Sequence, residues 1–234
     1  MHKLRQLLGL DDKAFYKSLF ALSVPLVIQQ GLSALLFLVD TIMVGQLDGN
    51  AIAAVGLANE IVFIMQMLAF GLLSGAGVFV AQYWGQKDSQ SIKRMLGCVL
   101  TLCLIVGGVF SAAALLIPAQ LIGLYSTDAV VISLGAQYLR TLAPAMFCNC
   151  VVLCYSILLR SCGDAFWPML CTGAGVLINA SLNYGLIFGK LGLPALGVTG
   201  AAIATDIAVR NVRTVIPSCS AGKIAPGRLK GYRH

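Results

Sequence analysis

Five side chains in this sequence carry oxygen donors that could together hold a small cation: Asp40, Tyr138, Asn179, Asn183 and Thr205. Asp40 is the conspicuous one. It stands in ALLFLVDTIMVGQ, residues 34–46, among leucine, isoleucine, valine and phenylalanine. A charge in hydrocarbon costs at least a few kcal/mol (about 2.5–3.5 at a helix centre), so such a residue marks a functional position. Carboxylate, amide, phenol and hydroxyl oxygens are hard donors, suited to a proton or Na⁺ and not to a thiophilic metal. A carboxyl in such a place is charged when it faces water, and protonated or cation-bound when closed off.

Helical spacing groups the polar side chains. At about 100° per residue, Gln29 and Asp40 fall about 20° apart, with Ser33 on the same side. They form one polar, cavity-lining stripe on an otherwise oily helix. In LINASLNYGLIFG, residues 177–189, Asn179 and Asn183 are four apart and share a face, with Thr172 nearly in line.

The elements that position these groups are membrane helices. The chain has 234 residues, 59% hydrophobic and 11% charged, with a mean hydropathy of +0.88. Soluble domains carry about 25% charged residues, so the polar surface is too small for water. Apolar runs cover Leu19–Gly45, Ile61–Ala81, Leu96–Ile117, Thr141–Leu159, Met169–Phe188 and a shorter Leu196–Val209. About 20 helical residues cross a hydrocarbon core. Five runs reach that length and the sixth falls short, which predicts an all-α polytopic protein with six transmembrane spans, the last incomplete. Pro25 should kink the first span by removing the bond to the Ala21 carbonyl.

Charge gives the orientation. Fourteen of the sixteen Lys and Arg residues fall before span 1, between spans 2 and 3, after span 4, or after span 6. Arg140 and Lys190 are the exceptions. Basic loops face the cytoplasm, so the expectation is a multi-pass protein of the cell membrane with both termini cytoplasmic. Spans 1 and 5 then run outward. Asp40 lies five residues before Gly45, about 8 Å below the outer end, and Asn183 lies five before Phe188. On the same ruler Tyr138 and Thr205 reach a similar level, so the five donors can meet in one outer layer. Asp206 either joins that layer or faces Arg210 one turn along. Arg140 snorkels outward if its helix begins well above the membrane, and Glu60 falls near the outer interface.

Other chemistries lack parts. No basic groove with interleaved aromatics points to nucleic acid. The two histidines are His2 and His234, at opposite ends, which leaves His catalysis and zinc chemistry nothing to use. The protein is therefore expected not to be an enzyme; an Asp40–Asp206 protease dyad is the remaining enzymatic reading. Cys148, Cys150 and Cys154 read as small apolar filler. Small-xxx-small spacing at Gly71 and Gly75, and at Gly197, Ala201 and Thr205, reads as close helix packing. Residues 1–17 form an amphipathic cytoplasmic lead-in and 18–210 the six-helix lobe. Residues 211–234 form an atypical basic tail that neither continues a span nor begins a seventh. That tail is either a cytoplasmic extension or the product of a shifted reading frame, and the second is favoured.

The ordered stretches FYKSLFALSVPLVIQQ, FLVDTIMVGQLDGNAIAAVGLA, GLLSGAGVFVAQYWGQKD, YLRTLAPAMF, LLRSCGDAFWPM, INASLNYGLIFG and GVTGAAIAT resemble the multidrug and toxic compound extrusion (MATE) transporters. The resemblance runs from about residue 15 to residue 210. It implies a fold of two six-helix lobes related by a pseudo-twofold axis, of which this chain resembles the N-terminal one, a truncated half-transporter. It also implies export of small organic, often cationic, drugs or toxins in exchange for Na⁺ or H⁺, with no cofactor besides that ion. By resemblance the cation site uses Asp40, Tyr138, Asn179, Asn183 and Thr205, and Pro25 matches the family's helix kink. Some relatives have a second aspartate where Asn183 stands, so the coupling ion stays open between Na⁺ and H⁺. The expected partners are drug-like substrates, the bilayer, and a second lobe or another copy of this chain. Two alternatives remain: an inert or partner-dependent membrane fragment, and a flippase for lipid-linked saccharides of a related fold.

Overall fold

The computed structural model describes residues 13–46, 49–190, 192 and 194–224. His2, His234 and the last basic residues from Arg228 onward lie outside the described residues, as does most of the amphipathic lead-in. The rest is helical: α1 Lys13–Gly45, α2 Gly49–Gly85, α3 Ser89–Leu116, α4 Pro118–Gly123, α5 Ala129–Ser161, α6 Phe166–Phe188 and α7 Val198–Ile224. In hydrocarbon every backbone N–H and C=O must pair within the chain, and a helix does this locally. Among the described residues α1, α2, α3, α5 and α6 are long and apolar enough to cross a membrane. The expected sixth span falls within α7, which is not among these five; that helix holds Asp206, Arg210 and Arg213 and is more polar.

Aspartates start the helices. Asp88 caps α3, its Oδ1 accepting from the N–H groups of Gln90 and Ser91 at 3.1 Å each. The Ser91 hydroxyl donates to its other oxygen. These bonds, the Ser91 hydroxyl foremost, hold the Asp88 carboxyl below its ordinary value of 3.8. Asp128 caps α5 through the N–H of Val130 at 2.8 Å, and Asp164, one residue before the N-cap Ala165 of α6, accepts from the N–H of Phe166 at 3.1 Å. Gly189 ends α6 with φ +67°, and a Cβ there would also meet Ala195 at 2.8 Å.

The helices overrun the apolar runs. α2 has 37 residues and α5 has 33, about 55 and 50 Å at 1.5 Å per residue. Hydropathy marks only the part that crosses hydrocarbon; both helices begin 12 residues earlier than their runs. The short α4, opened by Pro118, was not visible as an element in the sequence.

α5 forms the middle of the lobe, packed on α2, α3, α4 and α7. Its Leu139, Met146 and Cys150 meet Met65 and Leu73 of α2, Cys103 of α3, and Ala201 and Ala202 of α7 in one core. Helices approach closely where side chains vanish: a Cβ on Gly200 would lie 2.6 Å from the Leu186 carbonyl oxygen. The Gly71 and Gly75 pair behaves otherwise. A Cβ there would meet nothing within 4 Å, so these glycines face away from the lobe and pack no helix within it.

One expectation changes toward the end of the chain. α7 does not stop near Arg210 but continues to Ile224. The stripe Ala201, Ala204, Ala208, Val212 and Ile216 explains this, since every member is buried and the 3–4 spacing runs straight past Arg210. Val212 and Ile216 seal a second cluster with Leu159 and Cys171. At the other end, α1 is loosely held. It packs chiefly on α6, barely touches α2, and buries only Gln29 and Val44 among its described side chains. It runs unbroken through Pro25, so the proline removes one hydrogen bond without ending the helix.

Candidate functional site

α1 and α6 lie parallel and in register. Gln29 Nε2 donates to Thr172 Oγ1 at 2.8 Å, and Asp40 Oδ1 accepts from Asn183 Nδ2 at 2.5 Å. Both pairs are separated by 143 residues. The helices therefore keep one offset over three turns, about 16 Å, and two polar rungs clamp an otherwise oily pair.

The rung near Gly45 carries the expected donors. Asn179 and Asn183 are 2% and 0% exposed, while Asp40 is half-buried. Asn183 Nδ2 also donates to Asn179 Oδ1 at 2.8 Å, and Asn179 Nδ2 donates to Thr205 Oγ1 at 3.1 Å. Turning the Asn179 amide over pairs more groups: Nδ2 then donates to Asp40 Oδ1 at 3.2 Å, and the oxygen accepts from the Thr205 hydroxyl and N–H at 3.1 and 3.2 Å. In either orientation Asp40, Asn183, Asn179 and Thr205 form one chain across α1, α6 and α7. Tyr138 of α5 is buried within Coulombic range of Asp40. Four of the five donors named from the sequence thus bond in one chain, with Tyr138 buried nearby.

The arrangement fits a small hard cation. Asn183 Oδ1 is buried without a hydrogen-bond partner, an unmet acceptor beside a carboxylate. A proton on Asp40, or Na⁺ held by Asp40 and amide and hydroxyl oxygens, answers that arrangement. Among the described residues no three or more His, Cys, Asp or Glu gather as metal ligands. The cysteines instead pack: Cys150 fills the space beside Gly107, and Cys148 Sγ accepts from Arg213 Nη1 at 3.3 Å.

The other rung corrects the cavity-lining stripe. Gln29 is buried, not open to a cavity, and its Oε1 accepts from Arg160 Nη2 at 2.7 Å. A helix-end arginine tied to α1 explains the burial, because the amide exchanges water for two partners. Ser33 is exposed and donates to its own helix at the Gln29 carbonyl, 3.0 Å away. Arg160 was the residue missed: the sequence marks it as a span-end cation, but its partner depends on α1 lying beside α6. Asp206 does not join the Asp40 layer; Oδ2 pairs with Arg210 Nε at 2.9 Å, which also removes support for an Asp40–Asp206 dyad. Arg140 is exposed on α5, eleven residues after that helix begins. Glu60 is exposed on the wall of a cleft between α1 and α2.

Comparison with known proteins agrees with this architecture. The MatE family model matches residues 25–185. The chain is 28% identical over 189 residues to "Probable multidrug resistance protein NorM" of Thermotoga maritima, covering 81% of this chain and 41% of that one. It is 30% identical over 200 residues to multidrug resistance protein PmpM of Pseudomonas aeruginosa, covering 84% and 41%. A solved MOP superfamily transporter from Pyrococcus furiosus superposes with a TM-score of 0.78 at 27% identity, over 91% of this chain and 45% of that one. The chain spans less than half the length of these relatives. With five membrane-length helices, the lobe architecture and a family match over most of its length, this multi-pass membrane protein belongs to the MATE transporter family.

Proposed function

We propose that this chain is one lobe of a cation-coupled exporter of small organic compounds, with the Asp40 layer as the place where the coupling ion, Na⁺ or H⁺, sits. The observation that best supports this is the chain from Asp40 through Asn183 and Asn179 to Thr205, with the unpartnered Asn183 Oδ1 beside the carboxylate. Asp40 accepts the bond that ties α1 to α6 at this level. Neutralising its charge weakens that bond, since a hydrogen bond to an ionised acceptor is roughly twice as strong as a neutral one. Ion occupancy is thereby linked to how firmly α1 rests on α6. Moving one charge through about 100 mV releases roughly 2.3 kcal/mol, a gradient of about fifty-fold in a coupled solute. We place both termini in the cytoplasm from the basic residues, so the Asp40 layer lies in the outer leaflet.

Alternating access needs two sets of helices around a central site, and this lobe supplies one wall. A second lobe, or another copy of this chain, supplies the other. The saccharide-flippase reading calls for a wide, charged cavity; the Asp40 layer holds one carboxylate and neutral donors, which favours drug export. The test is ethidium export by cells with a complementary lobe co-expressed. Asp40→Asn should abolish pH- or Na⁺-driven export while the protein still reaches the membrane. Intact driven export in that variant would sink the reading.

A further inference from the structure

The two rungs between α1 and α6 have opposite polarity. The rung near Gly45 offers acceptors: the Asp40 carboxylate and Asn183 Oδ1, which is buried and unpartnered. The rung about 16 Å away offers donors. Its amide oxygen, Gln29 Oε1, is taken by Arg160 Nη2 at 2.7 Å, and Gln29 Nε2 occupies Thr172 Oγ1 at 2.8 Å. What stays unmet there is a donor, the buried Arg160 Nε. Among the described residues no carboxylate forms an ion pair with Arg160, and a guanidinium keeps its charge at every physiological pH.

Polar side chains follow the seam between the rungs at intervals of one to two turns. They are Gln29, Ser33 and Asp40 on α1, and Thr172, Asn179 and Asn183 on α6. The helices are close between them, since a Cβ on Gly173 would lie 3.5 Å from Leu32 Cδ1. A cation reaching the Asp40 layer meets a negative charge and an open oxygen. The same cation moving on along the seam meets a fixed positive charge and oxygens already bonded. Holding α1 in place would need only a donor for Gln29, which a neutral side chain supplies. A buried charge without a carboxylate is costly, and the cost points to a use for the charge itself.

We propose that Arg160 is an electrostatic plug that closes the α1–α6 seam to cations. An ion held at Asp40 then cannot slip along the seam, and leaves only through the movement that carries substrate. A fixed arginine can exclude cations from a polar path in this way. The inference rests on the Asp40 layer as the coupling-ion site, and it adds the residue that keeps that ion from leaking.

The test measures passive entry of radiolabelled Na⁺, and of protons read with a pH-sensitive dye, into liposomes holding the full chain under a negative-inside potential. Neither drug nor second lobe is present. Wild type should admit both ions no faster than protein-free liposomes. Arg160→Gln keeps a donor for Gln29 and removes the charge; it should raise entry of at least one ion about tenfold or more, the effect of taking one nearby charge off the path. Arg160→Lys should stay at background, and adding Asp40→Asn to Arg160→Gln should return entry to background. Elution profile and circular dichroism check folding, and Arg160→Met serves as a second uncharged variant. Background entry in the folded uncharged variants, equal entry in Arg160→Lys, or entry that survives the added Asp40→Asn would each overturn the proposal. Background entry in Arg160→Gln beside lost export in Asp40→Asn would sink the plug alone and leave the ion-site reading standing.

Discussion

Among the described residues Asp40 is bonded by neutral amides, Asn183 and, once its amide is turned over, Asn179, and by no basic side chain. That makes its charge responsive: a lysine or arginine beside it would hold it ionised, whereas an amide stabilises it without fixing it. Under the proposed function Asn183 is the residue that would convey the state of the carboxyl to α6, because it is fully buried and its Nδ2 donates to both Asp40 and Asn179. Asn183→Leu removes those donors and leaves two oxygens unmet. We expect a loss of about 1–3 kcal/mol of stability, read as a lower midpoint of thermal unfolding in detergent. Any dependence of that midpoint on Na⁺ should fall with it. A variant that melts as the parent does, with its Na⁺ response kept, would show that the amide contributes nothing to the layer. The types of these donors and their grouping on helix faces were legible in the sequence because a buried polar group in an oily helix has few explanations. The Arg160–Gln29 bond was not legible, since each residue alone has an ordinary reading and only the order of helix packing joins them.

At the scale of the element, α7 is the instructive case. The segment after Arg210 looked like an ending because its composition changes to basic residues and prolines. Composition was the wrong quantity to follow. The stripe through Ala208, Val212 and Ile216 keeps its period, and burial against Leu159 and Cys171 gives the turns through Ile216 a place to sit. Ile216 is fully buried, and Ile216→Ala should cost about 2–4 kcal/mol through the lost contacts and the cavity left behind. Limited proteolysis should then cut α7 near its end before any other helix. Unchanged protection would mean that Ile216 contributes no packing energy to α7. The ends of α2 and α5 were illegible for a related reason. Hydropathy reports solvent, while the extra turns outside the hydrocarbon are set by contacts between helices and by caps such as Asp128.

For the whole molecule, the order of packing runs from α1 to α6, then α7, then α5, with α2 and α3 on the far side of α5. The first described helix, α1, is thus the outermost member of one flank, and its face toward α2 is left open. Under the proposed function a complementary lobe covers that opening, and the expected outcome is concrete. Cells carrying this chain alone should accumulate ethidium like an empty-vector control, and those carrying it with a separate C-terminal lobe should accumulate several-fold less. Export by the chain alone, with cross-linking that captures dimers, would instead assign the cover to a second copy. The fixed offset between α1 and α6 has a consequence for length. Inserting or deleting a single residue between Gln29 and Asp40 would rotate one contact by about 100° relative to the other. Either the amide would lose its grip on Thr172 and Arg160, or the carboxylate would swing away from the asparagines. This part of the first helix can therefore vary in which oily side chains it uses, but its span of eleven steps has no room to grow or shrink.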